Sequence, residues 1–281
     1  VVIKSQGVFM TNRPFILVTN DDGIASPGLH AAAEAVADLG ELLIVAPSTQ
    51  RTSAGRGFPP VHDKAIYTIE IPLNTGPHPA YTADVSPAQA VQLALIELAA
   101  RPIDLCVSGI NYGENVGSGV TISGTVGAAL EAACSGIPAL AISLETPQEY
   151  HYSHSTEIDF IVAAHFAQQF ARQILSQGFP PGVDFLKVDV PAGATRQTPW
   201  RVGRVSRQRY YETVPSGRTR LDEQKAVTYR VHINPNGLEP DSDIHILTVD
   251  KMVAVVPMTI DLTAPIPLPE ITRFFDGELS D

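Results

Sequence analysis

Apolar residues in this chain come in short blocks that stop at turn-forming residues. Phe15 to Thr19 is a continuous apolar, β-capable run ending at Asn20-Asp21-Asp22-Gly23, the pattern of a strand buried on both faces. Pro27 to Leu39 follows with helical character: Ser26 suits the cap, Pro27 the first helical position and Gly40 the end. Leu42 to Ala46 is a second buried strand, closed by Pro47. Strand, helix and strand in about 30 residues form a βαβ unit, which favours a parallel sheet. The alternation continues. Ser86-Pro87 opens a helix reaching about Ala99, Ile103 to Val107 is a strand, and Thr125 to Ser135 is a small-residue helix closed by Gly136. Ala139 to Ser143 is a strand, Glu157 to Leu175 a long helix and Phe185 to Val190 another strand.

These elements predict an α/β fold: an open, doubly wound, mostly parallel sheet with a Rossmann-like core and its site outside the carboxyl ends of the strands. After Pro191 the pattern changes. Trp200 to Arg209 and Ala226 to Ile233 read as arms of a long hairpin, and Lys251 to Pro257 as a last strand before a Pro-rich tail. Three segments are expected: a leader at 1–14 without function, with Met10 as the natural start; a catalytic core at 15–191; and a hairpin and tail at 192–281. The last cannot bury much core alone, so it is expected to pack on the core or on another subunit. Trp200 is expected in the core.

Composition narrows the function. Of 281 residues, 44% are hydrophobic and 17% charged, which fits a packed globular chain, and the net charge of -11 disfavours a nucleic-acid polymer as partner. No apolar run reaches the roughly 18 residues that span a bilayer, so no membrane partner is expected. Two cysteines, Cys106 and Cys134, sit in apolar stretches and read as buried thiols of a reducing, cytoplasmic compartment.

Chemistry gathers at the predicted strand ends. Asp21 and Asp22 are adjacent carboxylates whose repulsion a divalent cation relieves; a turn whose Asn and Asp satisfy backbone donors explains the tetrapeptide equally. Ser108-Gly109-Ile110-Asn111-Tyr112-Gly113-Glu114-Asn115 places two amides after another strand, although an ordinary glycine-rich loop reads the same way. Ser123-Gly124-Thr125 stands at a helix start, where free N–H groups suit a phosphate or where Ser123 or Thr125 simply caps. The polar loop Ser48 to Gly55 adds hydroxyls, Arg51 and, just beyond, Arg56. Each loop alone is weak; four of them at one sheet edge bring oxygen ligands and phosphate donors together. Neither a Walker loop nor a Gly-x-Gly-x-x-Gly fingerprint is present, which disfavours a dinucleotide-dependent oxidoreductase. His151 and His154 read as a solvated loop without a third zinc ligand. The cluster Arg201, Arg204, Arg207 and Arg209 reads as substrate steering or as salt bridges within an acidic oligomer.

The motifs Ile16-Leu17-Val18-Thr19-Asn20-Asp21-Asp22-Gly23, Ser108-Gly109-Ile110-Asn111 with Asn115, and Ser123-Gly124-Thr125-Val126 occur in that order. Together they resemble the SurE family of stationary-phase survival proteins, metal-dependent 5′/3′-nucleotidases, over roughly residues 15–262. The resemblance implies one divalent metal per subunit, Mg²⁺ or Mn²⁺, on Asp21, Asp22, Thr52 and Asn111. It implies catalysis by Asp21, Asp22 and Asn111. It places Asn115, Ser123, Gly124 and Thr125 at the phosphate, with Asn20 counted in the same substrate set. It also implies a nucleoside monophosphate substrate and homodimers or homotetramers with exchanged C-terminal elements. Two departures stand out: Thr52 replaces a serine ligand, with Ser53 beside it, and Val85-Ser86-Pro87-Ala88-Gln89-Ala90 replaces Gly-Thr-Pro-x-Asp-Cys, which removes a carboxylate near a helix start. The expected mechanism is metal-assisted hydrolysis, with the cation polarising a phosphoryl oxygen and activating water while Ser123 and Thr125 steady the developing charge. A non-enzymatic nucleotide-binding regulator retaining the fold is the alternative; its only support is Gln89.

Overall fold

A computed structural model describes residues 13–60 and 65–277. The leader expected at 1–14 therefore lies almost wholly outside the described residues.

The first βαβ unit forms as its pattern predicts: β1 (Phe15–Thr19), α1 (Pro27–Val36) and β2 (Glu41–Pro47). Next comes an antiparallel pair, β3 (Tyr67–Leu73) and β4 (Gly76–Ala83), which the pattern does not announce. Then follow α2 (Pro87–Leu93), β5 (Leu105–Tyr112), α3 (Gly124–Cys134), β6 (Ala139–Leu144), α4 (Ile161–Gln177) and β7 (Phe185–Val190). The remainder holds β8 (Trp200–Val202), β9 (Tyr211–Val214), β10 (Thr228–Val231), α5 (Asp243–Thr248), β11 (Val253–Met258) and α6 (Leu268–Phe275).

Nine strands make one sheet in the order β3-β4-β2-β1-β5-β6-β7-β11-β8. From β4 to β7 every neighbour is parallel, whereas β3 runs antiparallel to β4 and β11 antiparallel to β7, with β8 parallel to β11 at the edge. Alternation along β1 shows why its sequence is apolar throughout. Ile16 and Val18 pack with Leu29, Phe166 and Phe170 of α1 and α4, whereas Phe15 and Leu17 pack with Val91, Val126 and Ala129 of α2 and α3. The chain proceeds outward from β1 through β2 on one side and returns through β5 on the other, so the loops leaving β1 and β5 diverge. That is the topological switch point, where open α/β sheets bind their ligands.

The C-terminal hairpin exists, but its arms are β9 and β10, paired from Thr228–Val214 to Val231–Tyr211. Trp200 to Val202 instead extends the main sheet beside β11. Trp200 is 47% exposed, a correction to its expected core position: it lies at the sheet edge and touches Phe170 edge-on. Cys106 is buried but Cys134 is exposed, also against expectation; neither forms a disulfide. At α2 the sequence departure proves to be a complete cap. Ser86 accepts the Gln89 N–H while the Gln89 side chain accepts that of Ser86, and the Gln89 amide also donates to Pro59 O at 2.6 Å. Gln89 thus has a local structural role, which removes the support for the regulator reading. Among the described residues no helix is long and apolar enough to cross a membrane.

Candidate functional site

A short turn closes β1. Asn20 uses both ends of its amide on Gly23, donating to its carbonyl and accepting its N–H at 3.1 Å each, and Gly23 takes φ 96°, which favours glycine. Asn20 is thereby committed to shaping the turn that presents the two aspartates. Both are buried, Asp21 to 3% and Asp22 to 1% exposure. Asp21 accepts the Thr125 hydroxyl at 2.5 Å; Asp22 accepts the Gln50 amide at 2.9 Å and the Tyr112 N–H at 3.3 Å. No lysine or arginine among the described residues pairs with either. Burial pushes the Asp21 carboxyl up to about 6 against the pull of Thr125 and nearby N–H groups. Burial and the charge of Asp21 hold Asp22 well above the carboxylate range.

The loop after β2 closes over this turn. Its Arg51 N–H donates to Asp21 O at 2.6 Å, and Gly55 N–H to Ile122 O at 2.9 Å. Thr52 and Ser53 both line the pocket beside Asp21. Ser53 holds φ 63°, a left-handed conformation, so the two hydroxyls leave the backbone from different geometries. Arg51 and Arg56 point to other work, pairing with Asp84 and with Glu131 respectively.

On the far side, a register shift in β5 between Ser108 and Asn111 re-aims Asn111. The Asn111 amide nitrogen donates to Gly113 O at 2.6 Å and Tyr112 O at 3.2 Å. Its carbonyl oxygen accepts nothing among the described residues. Helix α3 arrives with Ser123 as cap, its hydroxyl oxygen accepting the Val126 N–H at 3.1 Å. Gly124 permits the approach: a Cβ there would lie 2.6 Å from Asp21 Cβ and 2.7 Å from Oδ2. The start of α3 thus faces Asp21, and its N–H groups lower the Asp21 pKa.

A pocket of about 350 Å³ joins these parts. Of the residues singled out in the sequence, Asp21, Thr52, Asn111, Asn115 and Ser123 line it; Asn20, Asp22, Gly124 and Thr125 stand behind its wall. The opposite wall is aromatic and was not foreseen: His151, Tyr152, Tyr211 and Tyr229, with Arg209. His151 is no solvated loop residue. It is 8% exposed, its Nδ1 lies 2.9 Å from the Tyr229 hydroxyl, and burial lowers its pKa, so the ring is neutral near pH 7. His154 Nε2 bonds Asp22 O at 2.8 Å. The only sequence sign of this wall is Gly113, against which the His151 ring packs. Arg201 and Arg204 form ion pairs with Asp250 and Asp241 within the chain, and of the four arginines only Arg209 reaches the pocket.

The donor set suits a hard divalent cation. Counting partners among the described residues alone, the two buried carboxylates have no positive one, Asn111 offers an idle carbonyl oxygen, and the Thr52 hydroxyl makes no hydrogen bond. Among the described residues no group of three His, Cys, Asp or Glu side chains is placed for a metal, so the remaining ligands are neutral oxygens.

Comparison with known proteins places the chain. The family described as "Survival protein SurE" matches residues 16–212. The chain is 38% identical to "5′-nucleotidase SurE" of Thermococcus gammatolerans over 94% of this chain and 96% of that one. It is 39% identical to the protein of the same name from Thermococcus kodakarensis, over 92% and 97%. The crystal structure of SurE protein from Aquifex aeolicus superposes with TM-score 0.74 at 26% identity, covering 94% of this chain and all of that one.

Proposed function

This chain belongs to the SurE family, and from that premise we propose that it hydrolyses nucleoside 5′-monophosphates to nucleoside and phosphate with the help of one divalent cation. The observation that carries this reading is the pair Asp21 and Asp22, buried at the switch point of the sheet with no lysine or arginine partner among the described residues, Asp21 in the wall of a pocket that also offers neutral oxygens and Asp22 just behind it. Asp21, Asp22, Asn111 and Thr52 would hold the cation. When bound, such a cation polarises a phosphoryl oxygen and lowers the pKa of its water.

The other roles follow from the hydrogen bonds. Ser123 takes the Val126 N–H on its oxygen, so its own proton is free for a phosphate oxygen. Thr125 donates to Asp21 and orients that carboxylate instead of reaching the substrate. Asn115 is steadied by donation to Ser143 Oγ at 2.8 Å. Tyr152, Tyr211, Tyr229 and neutral His151 give the far wall faces that suit a nucleoside. The reaction is tested by phosphate release from 5′- and 3′-monophosphates of each base with added Mg²⁺ or Mn²⁺. Release from the 5′ series, abolished by EDTA, is expected; no release with any metal sinks the reading. Association of copies belongs to the same proposal, because α6 exposes Leu268, Phe274 and Phe275. Light scattering that finds a monomer at micromolar concentration removes that part.

A further inference from the structure

Away from the pocket surface, three charged side chains are sealed inside the protein. Lys187 of β7 is 0% exposed, as are Asp189 of the same strand and Asp243 at the start of α5. Lys187 Nζ lies 2.5 Å from Asp189 Oδ2 and 3.1 Å from Asp243 Oδ2. Such a cluster is a poor device for stability alone, because desolvation of three charges offsets most of their attraction and apolar residues of equal volume serve as well. What distinguishes it is which backbone groups its two carboxylates also hold. Asp189 Oδ1 accepts the Asn115 N–H at 2.7 Å, and Asp243 Oδ2 accepts the Gly117 N–H at 3.1 Å. Asp243 Oδ1 also accepts the Ser206 N–H at 2.9 Å. Gly117 has φ 60°, and a Cβ there would lie 2.5 Å from Gln208 O, so the loop is pressed against the segment that Asp243 holds. Val116 between them is buried with Tyr210 and Ile244.

We propose that Asp189 and Asp243 are positioning residues for the phosphate end of the pocket: the two carboxylates clamp the Asn115–Gly117 backbone between β7 and α5, and Lys187 neutralises their charge without touching that loop. This rests on the nucleotidase reading, since Asn115 is the pocket residue the clamp serves. Its content is that an acceptor for the Asn115 N–H, and not the charge at position 189, sets the substrate geometry.

Two double variants separate acceptor from charge. K187M/D189N removes the Lys187–Asp189 ion pair but keeps an amide oxygen toward Asn115; K187M/D189L removes that ion pair and the acceptor; the loss of Lys187 beside Asp243 is common to both and cancels in the comparison. Calorimetric binding of inorganic phosphate, KM and kcat for AMP, and hydrogen exchange across residues 115–118 are measured on each, with thermal unfolding as the check on folding. K187M/D189S, polar but too short to reach, replaces the leucine variant if that one does not fold. We expect K187M/D189N to bind phosphate within about threefold of wild type. The variant without the acceptor should bind about tenfold more weakly, with faster exchange at 115–118 and the loss in KM exceeding that in kcat. A merely structural cluster lowers the unfolding temperature and leaves phosphate affinity equal in the two doubles; that result overturns the proposal. A wild type that neither binds phosphate nor hydrolyses AMP overturns the nucleotidase reading and this inference with it, and is distinguished from the former by the wild-type measurement alone.

Discussion

Two buried acidic clusters in this molecule differ in one respect. Asp189 and Asp243 enclose a lysine; Asp21 and Asp22 enclose no cationic side chain among the described residues. In the first, burial opposes the charge of Lys187, but both aspartates outweigh it and raise its pKa. In the second, nothing offsets burial and mutual repulsion except hydrogen bonds from Thr125, Gln50 and backbone N–H groups. A built-in cation makes a fixed structural joint. A missing one leaves a place where an exchangeable cation gains both electrostatic attraction and access to a pocket. The contrast teaches that buried charge has opposite meanings depending on whether its neutralising partner is covalently part of the chain.

The contrast is broken most directly at the aspartates. Asp21→Asn and Asp22→Asn should each lower kcat/KM for AMP by a factor of about a hundred or more, the scale of a few kcal/mol of transition-state stabilisation. Full turnover in either variant would end the metal proposal. Stability should move in opposite directions at the two clusters. Lys187→Met strands two buried carboxylates and should destabilise the protein by roughly 3–5 kcal/mol. Asp21→Asn should stabilise the metal-free protein, and the sign follows from proton linkage. The folded Asp21 binds its proton more tightly than the unfolded one, with a pKa raised from 3.8 to about 6. Metal-free wild type therefore loses stability as pH rises through that window. The advantage of Asp21→Asn should grow across it, and further where Asp22 begins to ionise beside a charged Asp21. Urea unfolding in EDTA at pH 4.5 and 7.5 measures this; a difference independent of pH counts against it. The smallest effect is expected at the neutral ligand. Thr52→Val should raise the metal concentration for half activity several-fold, less than Asp21→Asn, and Ser53→Ala should change it little. Ser53, held at φ 63°, leads the backbone away from the geometry of its neighbour. A larger effect at Ser53 than at Thr52 reverses the assignment.

How far the sequence reached depends on what kind of order each part has. The strands β1, β2, β5, β6 and β7 are buried on both faces, so their residues are mostly apolar, in runs that stop at turn formers, with Lys187 and Asp189 as the charged exceptions in β7. The carboxylates and Asn111 were legible because they sit at those stops. The pair β3 and β4 was not, since Pro72, Pro77 and Pro79 argue against a strand; Pro72 lies on the edge strand β3, and Pro77 and Pro79 lie in the part of β4 that does not pair with β2, so the missing N–H groups do little harm. The aromatic wall escaped for a different reason. His151 and Tyr152 lie in an irregular loop, and Tyr211 and Tyr229 on short strands far along the chain, so no periodicity links them. The second hairpin arm was placed where β10 lies, but the first was misplaced because Trp200 to Val202 has β character and joins β11 in the main sheet instead of β10. The lysine at 187 is invisible to pattern reading: a charged residue in a buried strand betrays nothing of the partner, Asp243, that arrives from the later helix α5.

The order of the strands also sets a schedule. β1 lies in the middle of the sheet, so the first strand made is completed on one side only when β5 emerges. The bond from Thr125 to Asp21 spans 104 positions, that from His154 to Asp22 spans 132, and the clamp from Asp243 to Gly117 spans 126. Loops of that length close slowly, and contacts across them form after local helices are in place. A chain refolding from denaturant should regain helical dichroism before it regains turnover. In the interval it is a collapsed body whose two adjacent carboxylates are still hydrated, and the cation site proposed for them has yet to be created by the folding that buries them.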